Sequence, residues 1–206
     1  IKNGSYGKLM KAYYAKQDAE KLSGKGDTSQ KLTLMKTSAD SLKKSADALN
    51  DSSLWEKKKI KKKDEKTGEE IEVEDYDWDK ITKAVKSFVE DYNDVVKEAG
   101  ESNTKDVLRN ASWMTGMTDK NSNMLAKIGI TIGKGNKLEL DEDALKQADI
   151  SSLKTVFTGY NSFVSKISQK ATGISNAANR ASATYTNNGT YSKTDSSLTS
   201  SKIDKE

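Results

Sequence analysis

The sequence has no cysteine and no histidine. The first absence excludes disulfides, thiolate catalysis and cysteine metal sites, and the second removes the usual general base together with the commonest metal ligand. Most familiar hydrolase and metalloenzyme mechanisms thereby lose a required part. Proline is missing too, and aromatic residues make up only 7% of the chain, so long helices can run without the interruptions that proline imposes. No apolar run approaches the ~20 residues of a membrane span, and no cleavable signal with a continuous apolar segment is visible. The expectation is a soluble chain; what precedes Ile1, and whether the chain is exported, stay open.

What is present is lean and heavily charged: 206 residues, 33% hydrophobic and 32% charged. That suits one elongated domain with a narrow core better than a thick spherical one. The net charge of +4 is small beside 35 basic and 31 acidic residues and does not by itself imply nucleic acid.

The dominant pattern runs from Ser151 to Tyr185, where Leu153, Phe157, Tyr160, Val164, Ile167, Ala171, Ile174, Ala178, Ala181 and Tyr185 recur at alternating steps of four and three. This predicts one long packed helix, about 50 Å at ~1.5 Å per residue. Such a stripe cannot bury itself, so other helices must lie beside it. Two candidates follow from the same rule. Leu32, Met35, Ala39, Leu42, Ala46 and Leu49 form an unbroken seam starting near Ser29, and Trp78, Ile81, Val85, Phe88, Tyr92, Val95 and Ala99 form another, capped by Asp77 or Asp79 and closed at Gly100. Val89 and Val96 widen the latter stripe, as a helix touching two neighbours requires. Tyr6, Leu9, Met10, Tyr13 and Tyr14 mark a further helix over about Ser5 to Leu22. Those tyrosines read as half-buried packing, with an exposed adhesive patch as the alternative. A weaker helical region spans Thr104 to Lys127, with Val107, Leu108, Ala111 and Met114 on one face and a break expected around Gly116 and the polar run Thr118 to Asn123.

Two hairpins punctuate the helices. Residues 54–76 turn near Lys66 to Gly68, with Lys57, Lys58, Lys59, Lys61, Lys62 and Lys63 on one arm and Glu69, Glu70, Glu72, Glu74 and Asp75 on the other, so opposite charges face each other across the ladder. The lysines offer a possible contact for an anionic partner, although nucleic-acid sites usually combine basic residues with interleaved aromatics or a reading helix. Residues 128–140 alternate on both sides of Gly133-Lys134-Gly135-Asn136, a strong hairpin signal. Asp141 then caps a short helix. The segment 186–206 is polar and is expected to be a flexible tail beyond a bundle over 1–185.

Chemical motifs are weak. Gly129 to Gly135 superficially resembles a phosphate loop but is one residue short and lacks Ser or Thr after Lys134. Asp141-Glu142-Asp143 could hold calcium, yet the Gly and the distal Glu of a calcium loop are missing, and a helix N-terminus accounts for the acids. Glu90, Asp91 and Asp94 occupy polar helix positions. We expect no catalytic, cofactor or metal residues.

Ile81-Thr82-Lys83-Ala84-Val85-Lys86-Ser87-Phe88-Val89-Glu90-Asp91-Tyr92-Asn93, then Leu125-Ala126-Lys127-Ile128-Gly129-Ile130-Thr131, then Leu138-Glu139-Leu140-Asp141 together resemble the bacterial flagellar filament-capping family. There a helix with Phe-Val and Tyr-Asn precedes an Ile-Gly-Ile-Thr hairpin and an Asp-capped helix. The resemblance covers roughly Trp78 to Ser165. It implies a helical segment similar to the shaft of cap and flagellin proteins, a role in assembly or adhesion, and a place at the bacterial cell surface with hook or filament proteins as partners. Cap proteins are longer, carry outer β-rich domains and dock by amphipathic ends, whereas this C-terminal segment is polar. No ring-forming or host-binding residue is therefore carried over, and a reduced, flagellin-like relative that does not polymerise is expected.

The expected fold is mainly α, an elongated antiparallel helical bundle or coiled coil with one or two small β-hairpins. The expected function is structural or assembly work at the flagellum, without cofactor, small-molecule substrate or membrane span. Two other readings stay open: a nucleic-acid or acidic-surface binder using Lys57 to Lys63, and a cytoplasmic helical adaptor or chaperone. The packing seam to be located is Leu32, Met35, Leu42, Leu49, Trp78, Ile81, Val85, Phe88, Tyr92, Leu153, Phe157, Tyr160, Val164, Ile167 and Ile174.

Overall fold

A computed structural model describes residues 26–63 and 68–183. The expected helix over Ser5 to Leu22 and the polar segment 186–206 lie outside them. Among the described residues are seven α-helices and two separate two-stranded antiparallel sheets. Helix α1 is Ser29–Asn50, followed by a 3-10 turn at Ser52–Trp55 and strands β1 (Lys58–Lys63) and β2 (Glu70–Asp75). Helices α2 (Trp78–Gly100), α3 (Lys105–Lys120) and α4 (Ser122–Ala126) come next. Strands β3 (Ile130–Ile132) and β4 (Leu138–Leu140) precede α5 (Glu142–Gln147), α6 (Ile150–Phe157) and α7 (Phe163–Ala183).

The four long helices form an antiparallel bundle in which α1 and α3 each pack against both α2 and α7. Helix α1 runs opposite to α7: Ser168 Oγ donates to Asp47 at 2.7 Å and Ser175 Oγ to Asp40 at 2.6 Å. Helix α3 also opposes α7, with Arg180 reaching Asp106 near one end and Lys170 over the Trp113 ring further along. Between them lies one continuous core of buried side chains. It is aromatic at one end, where Trp55 stacks on Phe157 at 5.4 Å and Phe88 meets Phe157 and Phe163 edge-on. Toward the other end Ala171, Ala177 and Ala178 replace the rings. There a Cβ on Gly173 would stand 2.6 Å from Asn110 Oδ1, so α7 and α3 approach closely.

The stretch Ser151 to Tyr185 is not one helix, as the regular spacing leads one to expect. It is two, α6 and α7, separated by Thr158 to Ser162. Thr158 turns extended, and Gly159 adopts φ +99, a conformation that costs glycine little. The end of α1 holds the break in place, because Asn50 Oδ1 accepts the Gly159 N–H at 2.9 Å. Ser162 Oγ then accepts Ser165 N–H at the start of α7. Tyr160 sits in this turn and is 82% exposed, so it leaves the seam. The break expected around Gly116 and the polar run Thr118 to Asn123 falls inside that run. Helix α3 continues through Gly116 to Lys120, with Asn121 as its cap, because buried Met114, Thr115 and Thr118 around the glycine outweigh its ~1 kcal/mol helical cost.

One buried carboxylate ties the start of α1 to the α2–α3 turn. Thr104, at the head of α3, makes no side-chain cap bond. Asp27 instead accepts from Ser102 Oγ (2.6 Å), Asn103 N–H (2.9 Å), Thr104 N–H (3.0 Å) and Thr104 Oγ1 (2.7 Å), with Lys31 Nζ at 3.6 Å. Lys31 also donates to the Glu101 carbonyl. Burial pushes the Asp27 carboxyl up, but the bonds from Ser102, Asn103 and Thr104 and the Lys31 charge outweigh it and hold the group below its ordinary value. A depressed carboxyl stabilises the fold fully above the unfolded value, near pH 4, and the contribution fades as pH falls through the folded value. Asp27→Ala should cost about 3 kcal/mol near neutral pH, since it orphans several donors at once. In urea unfolding the difference from wild type should shrink as pH falls below the unfolded value, near pH 4, and the native carboxyl protonates.

Candidate functional site

The residues that carried the resemblance in the sequence occupy the joints of the bundle. Tyr92, fully buried in α2, donates its hydroxyl to Thr118 Oγ1 at 2.9 Å and so fastens α2 to α3; burial pushes its phenol well above the ordinary value. Its neighbour Asn93 brackets the backbone of β4. Asn93 Nδ2 donates to the Leu138 carbonyl at 2.9 Å while Leu138 N–H donates to Asn93 Oδ1 at 2.7 Å. That two-point contact fixes where the β3–β4 hairpin lands on α2. Ile130 pairs with Leu140 and Ile132 with Leu138, which turns Ile130 and Leu138 into the core.

Gly129 explains the Ile-Gly-Ile-Thr run. It has φ +79, and a Cβ there would stand 2.6 Å from the Asp141 carbonyl oxygen and 2.9 Å from Leu145 N. The Gly129 carbonyl in turn accepts Asp141 N–H at 2.8 Å. Asp141 then caps α5, accepting Asp143 and Ala144 N–H, and Glu142 pairs with Lys86 of α2 at 3.1 Å. The oxygens that could have served calcium are thus engaged in folding. Among the described residues no cluster of three or more Asp or Glu is arranged to hold a metal ion, and no helix is long and apolar enough to cross a membrane.

The structure brings most of the seam together. Leu32, Met35, Leu42, Leu49, Ile81, Val85, Phe88, Tyr92, Leu153, Phe157, Val164, Ile167 and Ile174 are all buried, while Trp78 is half-buried at the edge and meets Tyr76 edge-on at 6.4 Å. Tyr160 stands apart, as described. Glu90 and Asp94 are exposed and Asp91 is half-buried. Burial raises the Asp91 carboxyl, the Ser45 hydroxyl opposes this, and the charges of Asp94 and Glu90 raise it further.

The lysine run forms strand β1. Lys59, Lys61 and Lys63 lie opposite Glu74, Glu72 and Glu70, Lys58 opposite Asp75, and Lys62 opposite Ile71. Lys61 Nζ is 3.6 Å from Glu70. Lys57 precedes the strand and rests over the Tyr76 ring at 5.8 Å, with Lys154 5.9 Å from the same ring. The return arm therefore offsets much of the positive field that a polyanion would feel. Sequence reading quoted Asn93 only within the Tyr-Asn signature and did not single out Asp27, Asn50 or the Asp40 and Asp47 pair. The last carried a signal, since Asp40 and Asp47 are one heptad apart, as are Ser168 and Ser175.

The motif residues Tyr92, Asn93, Gly129 and Asp141 serve packing and backbone capping, as in a helical structural protein. The family model for the flagellar hook-associated protein 2 C-terminus matches residues 102–206, just over half of the chain, and the chain belongs to that family. The match begins after α2 and runs through the polar C-terminal segment that seemed a departure from the cap pattern. No curated protein and no solved structure matches the chain.

If the glutamate arm neutralises the lysines, the triple variant Glu70→Gln, Glu72→Gln, Glu74→Gln should elute from immobilised heparin at clearly higher salt than wild type. Identical elution would show that the lysines were never offset.

Proposed function

We propose that this chain is a non-enzymatic structural or assembly protein of the bacterial flagellum, of the filament-cap type, and that its partners are hook or filament proteins met outside the cell. The observation that carries this is the family match over α3 to α7 and beyond, joined to the roles of the residues on which the sequence resemblance rests. Tyr92, Asn93 and Gly129 hold elements together and leave no reacting group exposed. A bundle of antiparallel helices gives long lateral faces, the shape a shaft needs against other helical subunits. Large side chains left in solvent, Trp113 at 62% and Tyr160 at 82% exposure, suit contact with protein surfaces. Reading the protein as part of an exported filament places it at the cell surface.

Purified protein mixed with sheared filaments and with hook preparations from flagellated cells should co-sediment with at least one of them, and gold labelling should concentrate on filament or hook ends. Protein that stays wholly in the supernatant with both preparations would overturn the assignment.

A further inference from the structure

Between α1 and α2 the bundle leaves an open groove of about 460 Å³. Each wall is one stripe of its helix: Ser41, Lys44, Ser45 and Ala48 on α1, and Lys80, Lys83, Ala84, Ser87 and Asp91 on α2. Leu54 adds an apolar side chain beyond the end of α1. From Lys80 to Asp91 the α2 wall runs about 16 Å at ~1.5 Å per residue, which is about three helical turns. Ala48, Ala84 and the serines are small, so the furrow between the two helices has room for larger side chains from a third. Regular walls of this length suit a helix better than a compact small molecule.

The charges say which helix. Lys44 stands on one wall and Lys80 and Lys83 on the other, and all three are exposed. Lys80 lies 4.0 Å from Asp77, whereas Lys44 and Lys83 have no ionic partner among the described residues. This sets them apart from Lys36, Lys43 and Lys86, which pair with Asp40, Asp47 and Glu142. The groove has one acid of its own, Asp91, which is half-buried and engaged by the Ser45 hydroxyl. Beyond it Glu90 and Asp94 reverse the sign of the field. An occupant must therefore be apolar along its centre and acidic where it passes the lysines, and its acids must stop short of Asp91.

We propose that the α1–α2 groove receives an amphipathic helix of a second protein, with apolar side chains over Ala48, Leu54 and Ala84 and acidic flanks against Lys44, Lys80 and Lys83. That the helix belongs to a hook or filament subunit rests on the flagellar reading above; the chemistry of the groove does not.

Three fluorescent helical peptides of about eighteen residues test it by anisotropy with the full chain. One has a leucine stripe flanked by glutamates, one the same stripe flanked by lysines, and one the glutamates with the leucines scattered. The first should bind on the order of tenfold more tightly than either of the others. Lys44→Glu with Lys83→Glu, both at exposed helix positions, should transfer the preference to the lysine-flanked peptide, while Lys120→Glu with Lys127→Glu should leave it unchanged. Ser87→Trp, which fills the groove, should abolish binding with the helical signal intact. Equal affinity for the three peptides, no binding of any, or an unchanged preference in the folded double variant would overturn the proposal. Binding of dodecanoate without binding of the first peptide would also overturn it, in favour of a small amphiphile. Sheared filaments separate the two readings: sedimentation with filaments that survives both groove variants contradicts the groove alone, and peptide docking without any filament binding contradicts the flagellar partner alone.

Discussion

The antiparallel contact between α1 and α7 is the interaction on which the other elements depend. Its centre is apolar: Leu42, Ala46, Leu49, Ile167, Ala171 and Ile174 are all fully buried, and each large side chain contributes about 1.5–3 kcal/mol by leaving water. Its flank is polar, with Asp47 taking Ser168 and Asp40 taking Ser175 one heptad apart. Such bonds contribute roughly 0.5–1.5 kcal/mol each, so they stabilise less than the seam does. What they add is register, since a slip would leave two buried serines, Ser168 and Ser175, facing the wrong partners. Asn50 continues the rule by fixing the turn before α7.

Everything else is hung on that pair. Helix α2 closes one side and presents Asn93 to the β3–β4 hairpin, whose glycine at 129 lets the backbone of α5 come close. Helix α3 closes the other side, where Gly173 lets it approach α7, and Asp27 locks the α2–α3 turn to the start of α1. Residues far apart in the chain are therefore joined at the bundle ends by backbone capping, while the sides stay available.

The helical architecture was legible because seams repeat locally. Leu32 to Leu49 and Trp78 to Ala99 announce their helices within a few residues, and Asp77 and Asp141 mark N-termini through bonds three residues away. Both hairpins were legible from turn chemistry. The break at Gly159 was not, because α6 and α7 keep the four-three spacing across it and periodicity hides a turn that preserves phase. Thr158-Gly159-Tyr160-Asn161-Ser162 was nonetheless a turn sequence. The contacts of Asp27 and Asn93 escaped for a different reason. Their partners lie 75 and 45 residues away, and no local pattern encodes a polar contact at that range.

The central claim is that α7 finds α1 within its own chain, and light scattering combined with circular dichroism on Ile167→Asp tests it most directly. A charge at a site with no exposure should cost several kcal/mol. The account predicts a wild type that is monomeric and a variant that loses its helical signal while remaining monomeric. A wild-type oligomer that falls to helical monomers on this substitution would show that the seam joins different chains, and would contradict the account.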